Sequence, residues 1–154
     1  MKKWAVLVLL AFISTLAASD KKPVSTTGSK GLDQLLKIIE KTEKSGRIDL
    51  KDTRDFRKKA AHFISLDKQN LSKLESEYSA SERIAVQSNL DAMQLSLTNA
   101  SESLKVIGEE ARKSPPDLNL YTQSGRTVIS NLTNFLNTYK AVSDKGKHNQ
   151  GQQS

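Results

Sequence analysis

Catalysis needs an activated nucleophile, a tuned acid and base, or a metal, and the side chains for these are scarce here. The 154 residues hold two histidines, His62 and His148, and no cysteine. No HExxH, CxxC, GxSxG or phosphate-cradling glycine loop occurs. A helical protein can hold metal through Glu and Glu-x-x-His pairs that project from apolar faces. Only Asp67 interrupts such a face, and no histidine follows it three residues on. A lone core carboxylate of this kind is expected to hydrogen-bond to a Tyr hydroxyl or a Lys of a neighbouring helix. Haem carriage would need Met and His on one side. At 100° per residue His62 falls opposite Phe56, Ala60 and Leu71, whereas Met93 falls on an apolar seam as core filler. The reading is therefore of a chain that is not an enzyme, with no catalytic residue, no metal site and no cofactor.

Binding is better supplied. Lys51, Arg54, Lys58 and His62 recur at steps of three and four and share one face of a helix, a stripe suited to an acidic protein patch, a sulfated polyanion or anionic lipid heads. Asp52 and Asp55 lie beside the stripe and dilute its potential. The acidic outer face of the next helix, around Glu102, Glu109 and Glu110, is the fallback surface. Aromatic interleaving is missing, which argues against nucleic acid. Asn70-Leu71-Ser72, Asn99-Ala100-Ser101 and Asn131-Leu132-Thr133 match the N-glycosylation pattern, with Asn99 the best placed because it stands beside a seam position.

The elements that must carry these residues are helices. Strand signals are missing, and aromatics make up 5% of the chain. Lys2 and Lys3, the apolar run Ala5 to Ile13 and the small residues Ala17-Ala18-Ser19 form the three parts of a cleaved signal peptide over 1–19. Its loss lowers the formal charge from +7 to +5. The apolar leader is too short to cross a bilayer, so no stable membrane insertion is expected. Polar residues 20–30 and 144–154 are expected as disordered arms flanking a bundle over 31–143.

Within the bundle, Leu32, Leu35, Leu36 and Ile39 mark a short first helix that Ser45-Gly46 stops. Asp49 or Asp52 caps a second helix, whose inner face is Phe56, Ala60, Phe63, Ile64, Leu71, Leu74 and Tyr78. Ser79-x-x-Glu82 is a capping box. The seam Val86, Leu90, Met93, Leu97, Ala100, Leu104, Ile107 and Ala111 then steps by four and three, up to the break at Ser114-Pro115-Pro116-Asp117. Tyr121, Gly125, Val128, Leu132, Phe135, Tyr139 and Val142 repeat the rhythm, with Gly125 at a seam position where a neighbouring helix must pass close. Three long helices and one short one with facing seams give an all-α, antiparallel four-helix bundle. Without disulfides, such a chain depends on packing for stability.

The leader from Met1 to Ser19, the helices from Leu32 to Val142 and the polar tail together resemble the small secreted all-helical salivary or haemolymph proteins of blood-feeding insects. That resemblance implies a non-enzymatic ligand of a host immune or haemostatic protein. Periplasmic bacterial bundles share the same layout, which would imply an envelope structural or stress protein. Two function classes stand beside each other: a secreted binder that works through an outer helix face, and a carrier that opens its core around a lipid or small apolar ligand. Phe56, Phe63, Leu97, Phe135 and Tyr139 are bulky enough to close that core, which favours the binder.

Overall fold

The computed structural model describes the backbone of residues 27–150 and the side chains of 30–144. The expected signal peptide and the first part of the expected arm, through residue 26, lie outside the described residues, as do 151–154 of the tail. The described residues form four helices: α1 (Thr27–Ser45), α2 (Leu50–Glu77), α3 (Ala80–Glu110) and α4 (Leu118–Gln150). The bundle forms one compact unit that begins at Gly31. Its helices overrun the expected bounds of 31–143, since α1 starts at Thr27 and α4 continues to Gln150.

Each turn is built from residues whose side chains or backbone serve it. Gly46 ends α1 with φ of 65°, a left-handed conformation that costs glycine nothing, and its N–H closes on the Thr42 carbonyl at 3.0 Å. Asp49 caps α2 by accepting the Asp52 N–H at 2.9 Å. Ser79 and Glu82 form the reciprocal capping box of α3, the Ser79 N–H reaching Glu82 Oε2 at 2.9 Å. Asp117 accepts the Leu120 N–H at 2.9 Å and opens α4. Such caps contribute about 1 kcal/mol each.

The direction of each helix follows from what touches what. Gly31 meets Phe63, and Lys41 meets Asp52, so α1 and α2 are antiparallel. Gly108 of α3 faces Arg57, and Ser101 faces the Ile64 region further along α2, so these two are antiparallel as well. Thr53 bonds Tyr121 near one end of α2 and α4, and Tyr78 bonds the Val142 carbonyl near the other, so α2 and α4 run parallel across the bundle. The chain is an up-down-up-down four-helix bundle with α4 returning against α1, where Gly125 meets Ile39.

The seams read from the sequence make the core. Leu35, Ile39, Phe56, Leu90, Met93, Leu97, Ile107, Tyr121, Leu132 and Phe135 are buried, while Leu36, Phe63, Tyr78, Leu104, Ala111 and Tyr139 are half-buried at its edges. Full burial of each such side chain contributes about 1.5 to 3 kcal/mol. Phe135 stacks on Tyr139, ring centroids 6.0 Å apart. The Gly125 expectation holds: a Cβ there would lie 2.2 Å from Ile39 Cδ1, so the missing side chain is what admits α1.

Candidate functional site

The basic stripe lies on α2, which presents Phe56, Ala60, Ile64, Asp67, Leu71 and Leu74 inward. Lys51, Arg54, Lys58 and His62 stand on the opposite side, all exposed, on successive helical turns. The His62 ring lies against Phe63, centroids 6.1 Å apart and tilted. Of the two acids expected to weaken the stripe, Asp52 takes a hydrogen bond from Lys41 Nζ of α1 at 2.6 Å, and Asp55 takes one from Lys59 at 3.0 Å. The first of these pairs crosses to α1 and the second stays within α2. Asp52 holds the Lys41 ammonium above its ordinary pKa, mainly through that hydrogen bond. Among the described residues, Lys51, Arg54 and Lys58 form no ion pair.

A second group of cations, which the sequence reading did not assemble, lines the groove between α2 and α3. Arg57 and Lys68 come from α2 and Lys105 from α3, above a floor of Ala61, Ile64 and Leu104 with the hydroxyls of Ser65 and Ser101. The groove is open to solvent and offers about 320 Å³. Arg57 lies across Gly108, where an added Cβ would sit 2.9 Å from Arg57 Cζ. The signal for it was Gly108 itself, a helix-interior glycine that costs about 1 kcal/mol relative to alanine and so marks a close approach.

The acidic fallback surface divides. Glu102 and Glu109 are exposed on α3, but Glu110 is buried, a correction to the expectation for that face. Its carboxylate pairs with Lys113 and accepts the Asp117 N–H at 3.0 Å, tying the end of α3 to the cap of α4. The Lys113 hydrogen bond, then the Asp117 N–H, hold Glu110 below the ordinary carboxylate range. Position in a loop-closing network, rather than helix face, decides its burial.

Asp67 is buried, as its place on the apolar face implied, and burial pushes its carboxyl up to about 7. No Tyr or Lys among the described residues bonds it. Met93 is fully buried and His62 exposed. Among the described residues no three His, Asp or Glu side chains converge as a metal site.

The three sequons all lie within helices and their asparagines are half-buried. Asn131 donates its amide to the Thr127 carbonyl at 2.9 Å. Ser101 and Thr133 bond back to Leu97 and Ile129 carbonyls. Among the described residues no helix is long and apolar enough to cross a membrane. No protein-family model matches the chain, and comparison with curated proteins and with solved structures finds no match.

Proposed function

We propose that this chain is a secreted, non-enzymatic binding protein that engages an anionic extracellular macromolecule through the solvent face of α2. The observation that carries the reading is the division of charge around that helix. Lys51, Arg54 and Lys58 share an exposed face without acid partners among the described residues, while the nearby Asp52 and Asp55 are held by Lys41 and Lys59. Exposed cations of this kind steer association and set its salt dependence more than they set stability. An immune or haemostatic target on a host protein fits the resemblance to insect salivary proteins.

Charge reversal separates binding from folding, because the three side chains are exposed and form no ion pair among the described residues. Lys51→Glu, Arg54→Glu and Lys58→Glu combined should leave the thermal midpoint within a few degrees and lower the salt concentration needed to elute the chain from a heparin column. Wild-type retention should fall steeply with salt, exposed charges being screened within about 8 Å at physiological ionic strength. Equal elution of variant and wild type would remove α2's outer face from the function.

A further inference from the structure

We propose that the groove between α2 and α3 is a subsite for a sulfated oligosaccharide. This goes beyond the outer-face reading, since none of the groove residues belongs to the stripe, and it stands on independent observations.

The first is unpaired charge. Arg57, Lys68 and Lys105 border one recess, and no described carboxylate forms an ion pair with any of them. Glu102 and Glu109 flank Lys105 along α3, but neither pairs with it. The second is placement. The guanidinium of Arg57 rests on the bare backbone of Gly108, so its position depends on an absent side chain. The third is the spread of charge. Arg57 and Lys68 are separated along α2 by about 16 Å at 1.5 Å per residue, with Lys105 facing them from α3. One compact dianion cannot satisfy cations so far apart, whereas several anionic groups carried on one chain can.

The floor selects among such chains. Ile64 is buried and Leu104 half-buried, which leaves a shallow apolar base without the deep anchor pockets that an amphipathic acidic helix requires. No aromatic residue lines the groove for nucleobases to stack on. Ser65 and Ser101 add hydroxyls. Ser101 already donates to the Leu97 carbonyl at 2.8 Å, so toward a ligand it acts as an acceptor, a partner for a sugar hydroxyl rather than a sulfate. Cations, a hydroxyl acceptor and a shallow apolar base are the contacts a sulfated sugar chain offers to use.

The test uses the secreted chain and a heparin-derived hexasaccharide titrated by isothermal calorimetry, with the desulfated hexasaccharide as control. Arg57→Gln with Lys105→Gln should weaken binding at least about tenfold, because charge-assisted hydrogen bonds are lost. Lys51→Gln with Lys58→Gln removes the same charge from the outer face and should change affinity less than threefold. Gly108→Ala keeps every charge but displaces the guanidinium, and should weaken binding about threefold or more. The desulfated sugar should not bind.

Equal losses from the two charge-matched pairs would reduce the effect to net charge and overturn the subsite. So would unchanged affinity in Gly108→Ala, or wild-type protein that fails to bind the hexasaccharide. If only the outer pair loses affinity, the groove inference falls while the outer-face reading stands. Circular dichroism melts of each variant check that the bundle remains folded.

Discussion

Replacing Asp67 by Asn should flatten the dependence of stability on pH between about pH 4.5 and 8. Asp67 is 5% exposed as a residue, and burial raises its folded pKa from 3.8 to about 7. Between those values the folded chain keeps a proton that the unfolded chain releases. Stability is therefore fully present below pH 3.8 and declines as pH rises, levelling off above about 7. Three pKa units at about 1.4 kcal/mol each set a ceiling near 4 kcal/mol, and residual solvent screening lowers the expected loss to about 2 to 3 kcal/mol. Urea melts of the wild type at pH 4.5 and 8 should show that loss at constant m-value, and Asp67→Asn should show less than about 1 kcal/mol. Absolute stabilities do not decide the matter, because exchanging the carboxyl for an amide also changes the desolvation cost at this position. The difference across pH does, since other titrating groups are common to both proteins. A variant that retains the wild-type pH slope would refute the burial argument.

Two further substitutions test the packing. Leu97→Ala removes a fully buried mid-seam side chain and should cost about 2 to 5 kcal/mol in urea melts, and a loss under about 1 kcal/mol would mean the α3 seam does not face the core. Gly125→Ala drives a methyl to within 2.2 Å of Ile39 Cδ1, so overpacking of about 1 to 3 kcal/mol should outweigh a helix-propensity gain of about 1 kcal/mol. Adding Ile39→Val, which deletes Cδ1, should recover at least about 0.5 kcal/mol relative to the sum of the single changes, and strict additivity would refute the contact.

What could be read from the sequence is local in origin. The seams of α3 and α4, the Gly46 stop, the Asp49 cap and the Ser79–Glu82 box each depend on residues within a few turns of one another, so periodicity and spacing suffice. The single carboxylate on an apolar face, Asp67, was legible for the same reason. The rest depends on which helix lies alongside. Arg57 and Lys105 sit on different helices and become one cluster only once α2 and α3 are antiparallel in a particular register. Glu110 reads as a surface acid until the turn after α3 folds back and brings the Asp117 N–H to it. The pairing of Asp52 with Lys41 crosses from α2 to α1, so the charge left on the α2 stripe could not be judged from α2 alone.

The three bundle glycines that meet a neighbour each have a specific counterpart: Gly31 with Phe63, Gly108 with Arg57 and Gly125 with Ile39. In every case a Cβ would come within 3.0 Å of the opposing side chain, so each glycine and its counterpart form one packing unit. A lineage that enlarges one member can keep the bundle only by shortening or moving the other. Descendants of this sequence should therefore drift freely over exposed positions such as Ile84 and Leu95 while these three pairs change together or not at all. That pattern of paired change would allow distant kin to be recognised by three couplings between helices after overall similarity has decayed.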